Sequence, residues 1–446
     1  MADDRQWDRR SLLRGAAVLA GAATAAPLLA GTATAAPSLS GTATALAGSD
    51  DADALFKAGK FEQAGRAYEE ILKRDPKNLH AARRRGYVGL LSNQFTDAER
   101  YLKLAVTLAP DDRDANRLLA DCYIRQDKLS LSAPHWQAAE EDGYAKWFAS
   151  FSGEAYQVHG DTAQLKWKQM DPIPLVEGVS VNGGPAKTFT FYTGAPNLQV
   201  TGSVAKEAGL SPVVSEKIDF LNGTVWVHYG ALESFRLGGI ELRNVPVSWS
   251  TTDSGEDVDT DSDGMIGMWV FYHLLTTFDY AGRQLILRRR TPETARKARA
   301  AAAQAGTKPL PMWLAREHVL HSRGSIAGGA GSGTGVVGVL FGGESEVAGI
   351  VNAETAKQLQ VRIDRDRPVE TFAGSHPTVA YPCYPNEMRL GDVAANGIYC
   401  FTTPNGPLAP NGFDVPVSFF HSFHKPCTIT LDFTDMSLYI ARGQSA

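Results

Sequence analysis

The sequence predicts a multidomain protein in which an N-terminal α-helical solenoid is followed by two all-β lobes. Three observations predict this fold class. A period of 34 residues runs through residues 45–150, the chain changes after about residue 160 to short β-rich runs, and the order of those runs in residues 163–290 recurs in residues 310–446. Fixed periods of this length are typical of helical repeats, and short strands separated by Gly, Asn and Pro are typical of sandwiches and barrels.

Composition and charge argue against several classes of partner. The chain has 446 residues, of which 43% are hydrophobic and 21% are charged. That length is enough for roughly two to four ordinary globular domains. The net charge of −5 and the isoelectric point of about 6.1 indicate no broad basic surface. We therefore expect neither nucleic acid nor an anionic membrane as a partner.

Residues 1–36 form a predicted export signal. Asp8-Arg9-Arg10-Ser11 precedes a weakly apolar run of Ala, Gly and Leu, which ends in Ala33-Thr34-Ala35 before Ala36-Pro37. This arrangement resembles a twin-arginine signal peptide. No Cys stands near the expected cleavage position, so we expect no membrane anchor after cleavage. The mature protein is predicted to be soluble and extracellular or in the cell envelope.

The helical repeats are predicted from matched positions. Ala64 and Ala98 are 34 residues apart, as are Pro76 and Pro110. A third copy follows with large or small residues at the corresponding offsets: Tyr123, Ser132, Trp136 and Ala139. Small residues where helices touch, and Pro at the end of each second helix, resemble tetratricopeptide repeats. Such repeats imply either a surface for a protein partner or a packed cap on the next domain, and the sequence leaves both open.

The first β-lobe, residues 163–290, begins with a predicted hairpin. Its two strands are Leu175–Val181 and Lys187–Tyr192, and the turn is Asn182-Gly183-Gly184. Further on come the turn Thr193-Gly194-Ala195, the segment RLGGIELRNVPV and the triplet Met265-Ile266-Gly267. In this order, the pieces resemble a retropepsin-like aspartic protease lobe.

A predicted helical linker over residues 291–309 leads to the second lobe, residues 310–446. Thr291 and Pro292 suit the start of a helix and Gly306 suits its end. Gly338–Ser345 stands where the resemblance places the second active-site turn. Two such retropepsin-like barrel lobes imply a bilobal, aspartic-protease-like fold with a cleft that binds an extended peptide or a partner protein.

The residues that carry the chemistry of that family are replaced. Aspartic proteolysis uses two carboxylates roughly 3 Å apart that share one proton. The resemblance places Tyr192 at the first Asp position, and a phenol is almost wholly protonated at neutral pH and a poor base. The second Asp position aligns with Phe341, or with Gly342 if the register shifts by one residue. Neither choice supplies a carboxylate, so we expect no aspartic proteolysis.

Several residues are candidates for a remaining site. Glu344 is the nearest candidate acid or base, and His228 lies on a flap-like strand. The alternative is that both are ordinary surface or turn residues. Tyr192 is predicted either to contact a ligand or to fill the space left by Asp. The predicted substrate-binding set comprises Tyr192, Thr193, Gly194, His228, Phe341, Gly342 and Gly343.

No metal or cofactor is expected. His421 and His424, with Cys427, superficially resemble metal ligands, but no second ligand cluster accompanies them. At most one disulfide is expected among Cys383, Cys400 and Cys427, and the sequence does not select the pair.

The main hypothesis is therefore an exported pseudoprotease that binds an extended peptide or partner protein between its lobes without cutting it. The alternative is an enzyme that reuses the cleft for non-proteolytic peptide modification, such as proton transfer, isomerisation or epimerisation, or cyclisation. In a third hypothesis the β-lobes are a rigid scaffold for the repeats.

Overall fold

The computed structural model of the chain describes residues 51–171, 173–220, 223–258, 260–316, 318–342, 346–373, 376–403 and 411–443. The predicted export signal lies outside these residues. The described chain divides into a helical unit, residues 51–149 with 411–414, and a β-rich unit, residues 150–403 with 415–443. None of the described helices combines the length and apolar character needed to cross a membrane.

The helical unit begins with a helical stretch over residues 51–57. The helices that follow are α1 Phe61–Arg74, α2 Leu79–Leu91, α3 Phe95–Leu108, α4 Arg113–Ile124, α5 Leu129–Ala138 and α6 Asp142–Ala149. Helices α2 and α4 start at Asn78 and Asp112, whose side chains accept a hydrogen bond from the amide three residues later.

The 34-residue period is confirmed as a stack of helix pairs. Ala64 and Ala98 are fully buried, and so is Ser132, which takes the same position in the third copy. Gly86 explains one of the small positions, because a Cβ there would lie 2.6 Å from Cγ of Leu102 on the next helix. Small residues therefore allow adjacent helices to approach closely.

A short segment, Asn411–Asp414, packs against the first helices of this unit. The Phe413 ring is fully buried, with its centroid 5.0 Å from the Phe61 ring and 5.9 Å from the Phe56 ring. The Asp414 amide donates to the Lys57 carbonyl at 2.9 Å. The helical core therefore contains an aromatic side chain that lies far from the repeats in sequence.

The first half of the β-rich unit contains eleven strands within the described residues. They are β1 Gln157–His159, β2 Thr162–Gln169, β3 Leu175–Val181, β4 Lys187–Phe191, β5 Leu198–Thr201, β6 Val214–Phe220, β7 Gly223–Leu237, β8 Ile240–Thr252, β9 Gly264–Ile266, β10 Leu274–Asp279 and β11 Gln284–Arg289. Two short helices lie among them, α7 Gly202–Glu207 and α8 Met268–Tyr272.

The predicted hairpin is confirmed: β3 and β4 pair antiparallel. Its turn residues Asn182 and Gly183 have φ values of 48° and 73°. Asn and Gly tolerate this left-handed region better than other residues, which is why this turn was readable from the sequence.

The second half begins with the linker helix α9, Pro292–Gln304, which is capped by Thr291. Its strands are β12 Leu310–Pro311, β13 Trp313–Ala315, β14 Val319–Gly328, β15 Gly331–Val339, β16 Gly349–Val351, β17 Arg362–Ile363, β18 Val369–Ala373, β19 His376–Tyr384, β20 Glu387–Leu390, β21 Val393–Asn396, β22 Cys400–Thr402, β23 Val417–Phe419, β24 Cys427–Asp432 and β25 Ser437–Arg442. The remaining helices are α10 Ala353–Gln358 and α11 His421–His424.

The two halves repeat one pairing scheme. In the first half, β9 pairs parallel with β4 and antiparallel with β5. In the second half, β23 pairs parallel with β15 and antiparallel with β16. A short helix and a closing hairpin follow in each half, α8 with β10–β11 and α11 with β24–β25. The repeated order predicted from sequence is thus a repeated topology.

The closing hairpins of the two halves join edge to edge. Strand β10 pairs antiparallel with β24, so β11, β10, β24 and β25 form one continuous sheet. One face of this shared sheet is core, with Phe278, Leu287 and Leu431 fully buried. The cysteines form no bridge: all four are free and buried, although Cys383 and Cys400 lie directly opposite each other on β19 and β22.

Candidate functional site

Two loops that follow equivalent strands form the candidate site. The first turn begins at Tyr192, directly after β4, and the Tyr192 amide donates to the Ile266 carbonyl at 3.1 Å. The second turn begins at Leu340, directly after β15, and the Leu340 amide donates to the Phe419 carbonyl at 3.0 Å. Ile266 and Phe419 end equivalent strands, β9 and β23. Equivalent backbone hydrogen bonds therefore hold the start of each turn.

This equivalence fixes the register of the second turn. Leu340 corresponds to Tyr192, Phe341 to Thr193 and Gly342 to Gly194. The sequence left Phe341 and Gly342 open as the counterpart of Tyr192, whereas the matched pairing assigns Leu340, one residue before Phe341. The reason is the pairing of β15 with β23, a strand about eighty residues further along the chain. Neither Tyr192 nor Leu340 has a carboxylate.

The two turns are hydrogen-bonded to each other. The Phe341 amide donates to Oγ1 of Thr193 at 2.8 Å, and the Thr193 amide donates to the Phe341 carbonyl at 3.0 Å. Tyr192 and Gly342 also form an isolated β-bridge. Thr193 and Phe341 are buried at 1% and 0% exposure, so these bonds are shielded from water and hold both loops in one rigid centre.

Position 342 requires glycine, both for its backbone conformation and for the closeness of its neighbours. Its φ is 81°, and a Cβ on it would collide with the carbonyl of Phe191, the last residue of β4. Its amide donates to the Tyr280 hydroxyl at 3.1 Å, and burial raises the pKa of Tyr280 above its ordinary value. Tyr280 therefore remains a neutral phenol that supports the second turn from below.

An aromatic and imidazole layer lies under the turns. The Phe341 ring stacks on Phe278 at a centroid distance of 4.6 Å and lies 4.9 Å from the His424 ring. His421 and His424 belong to α11, are fully buried, and lie 5.2 Å and 5.9 Å from the Tyr280 ring. Burial lowers the pKa of His421 to about 4 and that of His424 to about 3. Both imidazoles are therefore neutral at neutral pH.

Tyr192 is the candidate ligand contact of the first turn. Its side chain is half-buried, and its ring lies against Gly194, where a Cβ would collide with the ring. The ring therefore covers the backbone of its own turn. A half-exposed phenol can donate a hydrogen bond and offer an aromatic face, but it cannot share a proton as a carboxyl pair does.

His228 has contacts of a different kind. Its ring nitrogens pair with the Ser215 hydroxyl at 2.7 Å and the Thr251 hydroxyl at 3.0 Å. The ring also stacks on Trp249 at 5.4 Å, and burial lowers the pKa of His228. These contacts lie within strands β6, β7 and β8, so they fasten the flap-like hairpin to its neighbour and do not join His228 to the two turns.

Two predicted residues, Gly343 and the candidate acid or base Glu344, lie outside the described residues. Among the residues that are described, no three His, Cys, Asp or Glu side chains lie close enough together to hold a metal ion. Leu340, Tyr280 and the two histidines of α11 were not assigned to the site from the sequence. The sequence signal for the histidines is the His421-Ser-Phe-His424 spacing, which resembles a metal motif only superficially.

Family models match both parts of the chain. Residues 178–270 match the model described as aspartyl protease, and residues 50–113 and 90–146 match the model described as tetratricopeptide repeat. The chain combines tetratricopeptide repeats with an aspartyl-protease-like domain. The comparison with curated proteins gave no match.

Solved structures that are similar to part of this chain include the following three. The first tetratricopeptide domain of Spaghetti (RPAP3) bound to an HSP90 peptide is 23% identical, with a TM-score of 0.21, over 22% of this chain and 80% of that one. The MamA RS-1 ArsTM double mutant is 27% identical, with a TM-score of 0.21, over 21% and 53%. The TPR2B domain of yeast Sti1 in its pHsp70 complex is 19% identical, with a TM-score of 0.22, over 23% and 81%.

The aspartyl-protease-like match covers the first turn and its supporting strands β4, β5 and β9. The second turn lies beyond the matched residues, and its likeness to the first comes from the repeated pairing of β15, β16 and β23. An aspartyl-protease-like domain and tetratricopeptide repeats both support binding of peptides or proteins in general.

Proposed function

We propose that the β-rich unit binds an extended peptide or a segment of a partner protein at its two turns and does not cut it. The observation that supports this most strongly is the register of the turns. Tyr192 and Leu340 make matching backbone bonds in the two turns, and neither side chain is one of the two carboxylates that aspartic proteolysis needs. Leucine cannot exchange a proton, and the Thr193–Phe341 bonds keep both loops in place without that chemistry.

Strand-like ligands suit this unit. An extended peptide pairs its backbone with exposed strand edges and places alternate side chains in pockets. The Tyr192 ring is half-buried, so part of its aromatic surface is accessible to such a ligand. Val213, next to the flap-like hairpin, is 50% exposed, so an apolar contact is available beside strand β6.

Peptide selection on the full chain tests this proposal. A displayed library of random decapeptides is enriched on the immobilised protein, and the enriched peptides are then measured by fluorescence polarisation. We expect Tyr192→Ala to weaken their binding and Tyr101→Ala, a change in the helical unit, to leave it unchanged. Equal binding by Tyr192→Ala would contradict a role for the turns.

The absence of cleavage is tested with the same peptides. They are incubated with the protein between acid and neutral pH and analysed by mass spectrometry. We expect unchanged masses. Fragments that a statine-type inhibitor suppresses would overturn the proposal, and a peptide of altered mass or altered retention without cleavage would favour the non-proteolytic enzyme instead.

We also propose that the protein is exported by the twin-arginine route and that the repeats hold a protein partner. Arg9→Lys with Arg10→Lys should retain the precursor inside the cell, with a reporter fused at the C-terminus as the readout. Secretion unaffected by this double change would contradict the proposed route. Deletion of residues 51–149 should remove a partner recovered by crosslinking while the decapeptides still bind.

A further inference from the structure

A cavity of about 510 Å³ lies between the linker helix α9 and the shared sheet, away from the two turns. Strands β10, β11, β24 and β25 form its floor. The roof is the alanine-rich face of α9, with Ala298, Ala301 and Ala302. Its volume falls within the range of about 300–1,000 Å³ that is usual for small-molecule sites.

The floor is unusual for a sheet face covered by a helix, because it carries hydroxyl groups. Thr277, Thr428 and Thr430 occupy neighbouring positions on β10 and β24. The Thr277 and Thr430 hydroxyls are 2.8 Å apart and hydrogen-bonded. The opposite face of the same strands is mostly apolar, with Phe278, Ile429 and Leu431 fully buried and Thr276 as its buried hydroxyl residue.

The helix is held above this floor rather than packed into it. Ala295 is the one residue of α9 that is buried. The Thr291–Thr294 capping box fixes the first turn of the helix, and Arg299 is paired with Asp435. These anchors keep the alanine face at a distance from the sheet, so the cavity is a product of the fold and its walls are preformed.

Arg288 gives the cavity a positive charge that no described carboxylate neutralises. Its Nη1 donates to the Thr277 hydroxyl at 3.2 Å, and no acidic side chain within the described ranges lies within ion-pairing distance of its guanidinium. Burial lowers the pKa of Arg288, as expected for a desolvated cation without an opposite charge. Lys297 adds a second cation, which is paired at the rim with Glu293 at 2.7 Å.

Tyr439 provides a second, independent indication of a ligand. It lines the cavity from β25, directly opposite Thr430. Its side chain is 5% exposed, and its hydroxyl has no hydrogen-bond partner among the residues that the structure describes. A buried hydroxyl without a partner is rare in folded proteins. The nearby carboxylate of Asp279 is already engaged by Thr428, Gly282 and Gln284.

We propose that this cavity binds a small organic carboxylate with a short apolar chain. Arg288 pairs with the carboxylate, the Tyr439 hydroxyl donates to it, and the apolar chain lies against the alanine face of α9 and Ile286. A bidentate guanidinium suits a carboxylate, whereas a cation would be repelled by Arg288. The apolar roof makes a bare inorganic anion a poorer ligand than an amphipathic one.

Calorimetric titration of the full chain with hexanoate tests this proposal, with hexan-1-ol and hexylammonium as comparisons at the same ionic strength. We expect hexanoate to bind and the other two not to bind measurably. N-acetyl-leucine is a further arm, because it presents the carboxylate as the end of a peptide does. Binding of either carboxylate supports the site, and the one that binds shows whether the site takes a free acid or the carboxyl end of a peptide. If neither binds, the proposal is overturned.

Matched variants locate the binding. Arg288→Gln should weaken hexanoate binding about 10- to 100-fold, and Tyr439→Phe about fivefold, as expected for losing a charged and a neutral hydrogen bond. Arg289→Gln is the control, because the next arginine on β11 bonds Asp161 and the Gly160 carbonyl instead. Ala298→Trp fills the cavity from the roof without altering the floor and should abolish binding. Unchanged affinity in both Arg288→Gln and Ala298→Trp would refute the site.

Discussion

Thr193 and Phe341 hold the two halves of the β-rich unit together at its centre. The Phe341 amide donates to the Thr193 hydroxyl at 2.8 Å, and the Thr193 amide donates to the Phe341 carbonyl at 3.0 Å. The two bonds differ in kind: one joins backbone to backbone, and the other uses the side chain of Thr193, because only Thr193 brings a hydroxyl. Phe341 instead directs its ring into the layer formed with Phe278. The first half thus contributes a hydrogen-bonding hydroxyl, and the second half contributes a packed aromatic ring.

Thr193→Val should destabilise this centre while leaving its volume nearly unchanged. The substitution leaves the buried Phe341 amide without its acceptor, which typically costs about 1–3 kcal/mol. Hydrogen exchange read by mass spectrometry should show faster exchange in the peptide that contains Phe341. Thr193→Ser keeps the hydroxyl and is the control. Equal protection in the valine and serine variants would mean that the hydroxyl contributes nothing.

Gly342→Ala should be far more harmful than an equivalent change elsewhere. Gly178 has nearly the same φ, 79° against 81°, but nothing lies within 4 Å of a Cβ on it. Gly178→Ala therefore measures the cost of the left-handed backbone alone, about 1–2 kcal/mol. Gly342→Ala adds a collision with the Phe191 carbonyl. The urea midpoint of the β-rich unit should fall clearly further for Gly342→Ala, and similar shifts would contradict the close approach of the turns.

Paired aspartates test the register of the second turn. In Tyr192→Asp with Leu340→Asp, two carboxyls at matched positions should repel each other, which raises the pKa of one of them. NMR titration should show two separated steps. In Tyr192→Asp with Phe341→Asp, the second carboxyl would replace a fully buried ring, and we expect loss of folding. Two uncoupled titrations in the first variant would argue against Leu340 as the counterpart of Tyr192.

The sequence predicted local features well because their causes are local. The hairpin turn at Asn182 and Gly183 needs left-handed backbone, and the repeat period needs small residues such as Ala64 and Ala98. The register of the second turn was not predictable in the same way. Leu340 and Phe341 are both apolar and follow a Gly-rich stretch, so either suits the strand end, and the choice depends on pairing with the distant strand β23.

The cavity under α9 could not be predicted from the sequence either. Thr277, Arg288 and Tyr439 lie on three strands that are brought to one face only by the pairing of the two closing hairpins. The linker helix itself was predicted from Thr291 and Pro292, but its distance from the sheet depends on tertiary anchors such as Arg299. Sequence patterns report local preference, and this site is a product of long-range contacts.

Phe413→Ala should destabilise the helical unit, although Phe413 lies outside the repeats. Removing a fully buried ring leaves a hole between Phe56 and Phe61 and typically costs about 3–5 kcal/mol. Asp414→Asn is the control from the same segment. It removes the exposed ion pair with Lys57, and such pairs contribute about 0–1 kcal/mol. Thermal unfolding followed by circular dichroism at 222 nm should separate the two. Equal melting would mean that the segment does not belong to the helical core.

The buried histidines of α11 should make the β-rich unit sensitive to acid. The groups around them are Asp171 at 3.7 Å from His421, the ammonium of Lys425, and the Tyr280 phenol. Burial lowers the pKa of His421 to about 4 and of His424 to about 3, below the usual value of about 6.5. Below about pH 6.5, these histidines bind more protons in the unfolded chain than in the folded one. Stability is therefore complete above about pH 6.5 and is lost as the pH falls toward the folded pKa values.

The expected slope is about 1.4 kcal/mol per pH unit for each histidine. Carboxylates elsewhere contribute to acid unfolding as well, so the informative quantity is the difference between variants. His424→Gln should unfold at a urea midpoint that depends less on pH between 6.5 and 4 than the midpoint of the unaltered protein. His159→Gln, at an exposed position, should keep the full dependence. The same pH slope in His424→Gln and the unaltered chain would show that His424 does not remain neutral in the folded state.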